Sequence, residues 1–311
     1  MKWCTEVKIE FPWLYRHRER YLFLGSCFAA AVGSRLQDWQ LPAWVNPCGT
    51  LFHPLAIAQS LNRAIKCLDP DPLDLIEYEG RFWSLLHHGD AHPSAPPQSR
   101  EELLPSLRRC DQALADAMRS CDHLILSFGS AWLYQRQGRP VANCHQLPGS
   151  WFQRRCCDVD EMLAPLEAAL ASWMDSHPQA RLTLTVSPIR HLRDKPQENS
   201  RSKARLQLLC EALEKRFPGR SWTFPSWELV IDELRDYRFY GEDLSHLTSA
   251  AEDYVAERFI AGFDDEGRQY LRDGAELHRL SCHRPRDAAR HAELLAQARQ
   301  RFDERWRRPQ S

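Results

Sequence analysis

The sequence predicts an α/β fold: a three-layer α/β/α sandwich around a mainly parallel sheet, with a helical appendage at its C-terminal end. Three observations predict it. Short apolar runs such as Tyr21-Leu22-Phe23-Leu24 and Leu124-Ile125-Leu126 run into Gly25-Ser26 and Gly129-Ser130, the way buried strands stop. Helical segments alternate with these runs from residue 21 to 262, the pattern of a parallel sheet with helices on both faces. From about residue 265 the chain becomes arginine-rich and poor in core aromatics, so residues 1–264 read as the α/β domain and 265–311 as an extension.

Residues 1–20 are a polar, aromatic-rich lead-in, with Phe11-Pro12-Trp13 packing across the edge of the first layer. Tyr21–Leu24 is a strand, Gly25 permits a tight turn, and the small residues from Cys27 start a helix. Ser26 at the bend either caps that helix or stands at a strand's C-terminal end, where open α/β sheets place their chemistry beside helix N–H groups. A turn that exposes Ser26 points Cys27 inward as a small buried residue. A short strand within Leu41–Val45 runs into the turn Asn46-Pro47-Cys48-Gly49, and His53-Pro54 opens an amphipathic helix to about Cys67.

Residues 69–100, rich in proline, form an irregular lid-like insertion over the active site or a sheet edge. A helix spans about 101–120, and the run Asp122–Trp132 holds a buried strand ending in Gly129-Ser130; residues 138–152 are irregular, and a helix covers about 160–176. The alternation in Arg181–Ser187 is a strand stopped by Pro188, with Arg190-His191 just beyond it. Residues 198–216 are a helix on which Arg201 and Lys203 are solvated or paired. Trp222-Thr223-Phe224 opens the last strand, and a helix follows to about Phe259. In the helix 288–306 the acids Glu293, Asp303 and Glu304 interleave with the arginines, which describes a solvated or packing helix.

Forty-one Lys and Arg balance forty-two Asp and Glu in the 311 residues, so no global field argues for nucleic acid or an anionic membrane. The eleven cysteines follow no metal or dithiol spacing, and reduced thiols fit a cytoplasmic protein. Arg16–Arg20 followed by an apolar run into Cys27 imitates a lipoprotein signal. The run is only Tyr21–Leu24, short of the roughly 7–15 residues such a signal needs. No segment approaches the ~20 apolar residues of a membrane span.

Asp243 and His246 are spaced so that a carboxylate can hold an imidazole and set its tautomer. Their position just before the last helix of the α/β run, with Ser26 after its first strand, suggests a triad: Ser26 as nucleophile, His246 as general base, Asp243 as its orienter. Arg190 and His191 reach the same rim in a parallel sheet. There they either bind substrate or, for Arg190, pair with Asp232, Glu233 or Asp236.

This order resembles the SGNH (GDSL-like) hydrolase superfamily, and Gly25-Ser26-Cys27-Phe28-Ala29 spells the motif of its bacterial GSCFA-domain family. The resemblance continues through Val45–Thr50, Ser127–Trp132, Val141–His145, Ser187–His191, Glu198-Asn199, Ser202-Lys203-Ala204 and Asp232–Tyr240, and covers roughly residues 5–260. It implies the SGNH, flavodoxin-like sandwich, with catalytic Ser26, Asp243 and His246 and an oxyanion hole from Ser26 and Gly49. The superfamily's third block commonly reads Gly-x-Asn-Asp, whereas this chain has Gly129-Ser130-Ala131-Trp132. Asn143 is the first candidate to replace the missing amide, with Ser130 and the Trp132 indole behind it as donors or substrate contacts. The implied reaction is hydrolysis of an acyl ester on a sugar or other small polar alcohol, without cofactor or metal. Transfer of the same acyl group to an acceptor, or a decayed site serving as a binding or scaffold protein, are the alternatives.

Overall fold

A computed structural model describes residues 4–87, 97–283 and 287–306. Its centre is a five-stranded parallel sheet of β1 (Tyr21–Gly25), β2 (Ala43–Val45), β5 (His123–Phe128), β9 (Arg181–Val186) and β10 (Ser221–Thr223), in spatial order β10-β9-β5-β1-β2. Counting only these five, the order is 2-1-3-4-5, whose switch point lies between β1 and β5. Every residue of β1 and β5 is buried, as expected of central parallel strands covered on both faces.

Strand periodicity sorts these residues into two cores. Leu22, Leu24, Leu124, Leu126, Leu182 and Leu184 face one helical layer, formed by α2 (Pro54–Lys66), α3 (Arg100–Ser120), α4 (Val159–Ser176) and α5 (Pro196–Arg216). Tyr21, Phe23 and Ile125 face the other, where α1 (Cys27–Asp38), α7 (Ser249–Ile260) and α8 (Asp265–Cys282) pack. A short helix α6 (Ser226–Glu228) follows β10, and Ser226 Oγ holds Thr185 Oγ1 at 2.5 Å, which gives a buried strand hydroxyl its partner. The lead-in behaves as expected: Phe11 meets Trp222 of the edge strand β10 with centroids 5.3 Å apart, and Tyr15 Oη bonds Thr183 Oγ1 at 2.7 Å.

The C-terminal helices are seated on the α/β unit. Tyr270 Oη of α8 donates to Gln40 O at 2.6 Å, and a Cβ on Gly274 would lie 2.1 Å from Trp39 O, so only glycine allows this contact. α9 (Ala288–Trp306) buries no residue fully and lies on α8, where Trp306 Nε1 donates to Asp273 Oδ2 at 2.9 Å.

Two stretches that read as irregular are ordered hairpins. Within 69–100, β3 (Leu75–Tyr78) and β4 (Arg81–Ser84) pair across Glu79-Gly80, both at positive φ; the remainder of the expected lid, 88–96, lies outside the described residues. β6 (Trp132–Arg136) and β7 (Arg139–Val141) pair across Gln137-Gly138, again both at positive φ, and β8 (Gln153–Cys156) joins them as a third strand. Two-residue loops with positive φ match the twist of antiparallel strands, and Gly at the second position was the sequence signal for both.

Candidate active site

The site is built at the switch point. β1 ends at Gly25 with φ +131, and a Cβ there would lie 2.1 Å from Ser127 O. Glycine therefore lets the end of β1 press onto β5, and Ser26 N–H donates to Ser127 O at 2.9 Å. Ser26 starts α1 without capping it through its side chain; its Oγ instead shares a 2.6 Å hydrogen bond with Ser127 Oγ. Both serines are sealed, at 1% and 0% exposure.

Cys27 reverses the expectation made for it. It lines a cavity of about 740 Å³ that also touches His246, His191, Trp132, Asn143 and Asp194, whereas Ser26 lies behind the wall. The cause is the first helical turn of α1, which carries the Cys27 side chain round to the cavity while Ser26 continues the strand direction toward β5.

His246 and Asp243 sit on the loop before α7. Leu244 at φ 54 folds this loop back, Gly241 N–H donates to His246 O at 2.8 Å, and Ser245 Oγ donates to Arg190 O at 2.5 Å. Asp243 Oδ2 accepts from His246 Nδ1 at 2.5 Å, while its Oδ1 accepts from the N–H groups of Ser245 and His246, each at 3.0 Å. The His246 hydrogen bond, followed by those two amides, draws the Asp243 carboxyl down to about 2. With Nδ1–H committed to Asp243, Nε2 is the nitrogen left to take a proton. Both side chains are half-exposed, and Ser26 Oγ makes no hydrogen bond to His246. The structure brings Asp243 to His246, and His246 to the cavity beside Cys27; it does not place the Ser26 hydroxyl on His246.

The expected oxyanion donors are engaged elsewhere. Gly49, at φ 77, donates its N–H to Asn46 O at 2.7 Å, closing the turn after β2, and Ser26 N–H is held by Ser127. Ser130 N–H donates to Phe52 O at 3.1 Å. Asn143 does line the cavity; its Oδ1 accepts from His145 N at 2.7 Å, which fixes the side chain and leaves its amide nitrogen without a protein acceptor among the described residues. The Trp132 Nε1–H is likewise buried with no partner, and the Arg154 guanidinium lies 4.0 Å over the Trp132 ring.

Arg190 and His191 part company. His191 lines the main cavity, and burial together with the nearby Lys203 ammonium holds its imidazole down at about 4, so it is neutral at ordinary pH. Arg190 faces a separate cavity of about 440 Å³ and stacks over Trp227 at 5.5 Å; among the described residues it pairs with no acid, because Asp232, Glu233 and Asp236 pair with Arg235, Arg258 and Arg238.

Five contributors escaped the sequence reading. His53, beyond opening α2, accepts from Leu55 N at 3.0 Å through Nδ1, and its Nε2–H then donates to Ala131 O at 3.3 Å; burial pushes it down to about 4. Asp194, at 5% exposure, is bonded through Oδ1 to Arg154, while its Oδ2 has no hydrogen-bond partner among the described residues. Lys203 is buried, not solvated, and Ser202 beside it is buried too; the spacing 199, 202, 203, 206, 209, 213 of the buried face of α5 was the available signal. Ser127 carried no signal before the β1–β5 pairing was known.

Elsewhere, Cys48, His87 and Asp111 bring ligand-type atoms within 4.8 Å of one another. Asp111 already accepts from His87 Nε2 and from Arg63, and the Arg63 charge opposes a cation there, so the cluster reads as a buried link between α2, α3 and the loop after β4. No disulfide joins any of the eleven cysteines, all of which are described. No described helix is long and apolar enough to cross a membrane.

Fold and site together define a doubly wound α/β protein with a strand–turn–helix serine and a carboxylate–histidine pair at the carboxyl edge of its sheet. The chain belongs to the GSCFA family, whose pattern it matches over residues 20–259. No curated protein matches the sequence.

Proposed function

We propose that the protein is a serine hydrolase of the SGNH type that cleaves an acyl ester of a small polar alcohol, a sugar among them, through an acyl-Ser26 intermediate. The observation that carries the reading is the Asp243–His246 pair, which leaves one imidazole nitrogen for proton transfer on the wall of a cavity at the switch point. In this reading the Ser26 hydroxyl turns from Ser127 toward the cavity, and its oxygen attacks the ester carbonyl as His246 takes its proton. His246 then gives that proton to the departing alkoxide. A water molecule, deprotonated by His246, attacks the acyl-enzyme and returns Ser26 with the free acid. The first-turn amides of α1, uncapped by the Ser26 side chain, and the Asn143 amide are the donors for the oxyanion.

The position of Cys27 on the cavity wall favours a second reading, in which the thiol carries the acyl group with the same His246 as base. Labelling with a fluorophosphonate probe, followed by peptide mass spectrometry, separates the two. Modification of Ser26, with Ser26→Ala losing on the order of 10⁴-fold or more of esterase activity, supports the serine. An active Ser26→Ala protein that is silenced by Cys27→Ala overturns it in favour of the thiol, and wild-type protein that neither labels nor hydrolyses short acyl esters overturns both.

A further inference from the structure

A lysine is buried under the candidate site, where an apolar side chain would serve stability at least as well. Lys203 is 1% exposed, and among the described residues no carboxylate lies within ion-pair distance of it. Its Nζ donates to Gly129 O at 2.6 Å and to Ser187 O at 2.7 Å, and lies 5.5 Å over the Trp227 ring. Gly129 and Ser187 are the residues just past the ends of the neighbouring strands β5 and β9. One ammonium therefore ties together the two chain segments that leave the sheet toward the cavity, one toward Ser130 and Trp132, the other toward His191 and Asp194.

The residue before it acts on the same segment. Ser202 Oγ accepts from Ala131 N at 2.8 Å and lies 3.5 Å from Ser130 Oγ. A peptide unit is planar, so fixing the Gly129 carbonyl also fixes the direction of Ser130 N–H, which points to Phe52 O. Residues 129–131 are thus held from behind by α5 at two successive residues and from the front by Phe52. This is the stretch where an amide side chain was expected and is missing.

We propose that Lys203, with Ser202, is a positioning residue pair that holds the 129–131 segment and the end of β9 in the geometry the cavity needs for acyl transfer. Burying a lysine amine without a counter-ion is costly in either protonation state, and replacing buried polar or charged groups by apolar ones is often neutral or stabilising. What the lysine adds is the fixed direction of two carbonyls. Burial pushes the Lys203 amine down to about 7, with Arg190 acting in the same sense and Asp194 and Cys27 against it, and His191 lies close by; protonated or neutral, Nζ has the N–H groups to serve both carbonyls. The link to rate rests on the reaction proposed above; the clamp itself does not.

The test measures the two separately in Lys203→Met and Ser202→Ala. Hydrogen exchange with mass spectrometry should show the peptide covering 127–134 exchanging about tenfold faster in Lys203→Met, with α4 unchanged, and a smaller change of the same sign in Ser202→Ala. With p-nitrophenyl acetate, kcat should fall about 10–100-fold in Lys203→Met while KM stays within about threefold, because the loss is of alignment and not of binding. Unchanged exchange in a folded variant overturns the clamp, and faster exchange with unchanged kcat overturns its role in the reaction. If Lys203→Met does not fold, Ser202→Ala decides by the same two readouts. A wild-type protein without esterase activity or probe labelling, but with the exchange difference intact, refutes the hydrolase reading and leaves the clamp standing.

Discussion

The Ser26 turn and the Asp243–His246 loop are the two halves of one candidate site, and they are built in opposite ways. Ser26 is sealed between β1 and β5, with its N–H and Oγ both tied to Ser127. Asp243 and His246 are half-exposed on a loop held chiefly by short backbone bonds and by Ser245 Oγ on Arg190 O. The first half is fixed by the sheet; the second is fixed by its own turn. Damage to the buried half should therefore appear first as lost stability, and damage to the exposed half as lost rate in a folded protein.

Asp243→Asn is the strongest test of the exposed half. It should lower kcat/KM on short acyl esters by roughly 10⁴-fold by no longer holding the tautomer, while thermal unfolding moves far less than in a variant of the buried half. A large loss of stability together with the rate would erase the contrast. For the buried half, Gly25→Ala forces a Cβ against Ser127 O at a φ that disfavours side chains. Chemical denaturation should show a loss on the order of 3–5 kcal/mol, and a near-neutral result would mean that β1 can end elsewhere.

The third difference is in pH response. His53, in the buried frame, has its pKa lowered by burial from 6.5 to about 4, so between those values the unfolded chain binds a proton that the folded one does not. Stability should be full above about pH 6.5 and fall as pH drops through that window, by up to on the order of 3 kcal/mol for this one residue. His191 acts in the same sense. Asp243 acts in the same sense but in a lower window: its depressed carboxyl contributes above its unfolded value and is lost only as pH falls toward about 2. Urea unfolding at pH 7.5 and 4.5 measures the slope, and His53→Gln should flatten it; an unchanged slope would assign the acid sensitivity to other groups.

Much of the frame was legible because it follows local rules. The apolar runs of β1 and β5, the stop at Pro188 after β9, His53-Pro54 at the start of α2 and the helix over 288–306 all stand where the periodicity placed them. The hairpins at 75–84 and 132–141 were missed because their strands are short and mixed in polarity, and the information sat in the turn glycines. Asp243 beside His246 was legible because the two lie within one turn of chain. The Ser26–Ser127 pairing was not, since 101 residues separate the two and only strand order brings them together. Lys203 was misjudged by composition: a lysine reads as solvent-facing unless the helical spacing around it is followed.

The bridge between Tyr15 and Phe263 bears on everything attached to this unit. Tyr15 N–H donates to Gly262 O and Tyr15 O accepts from Asp264 N, while its ring packs on Tyr21 and His123, the first residues of β1 and β5. Entry to and exit from the α/β unit are therefore stitched at the amino edge of the sheet, opposite the carboxyl edge that carries the cavity. α8 leaves from this seam and lies against the far end of α1 at Trp39 and Gln40. The extension therefore starts from the edge of the sheet opposite the cavity.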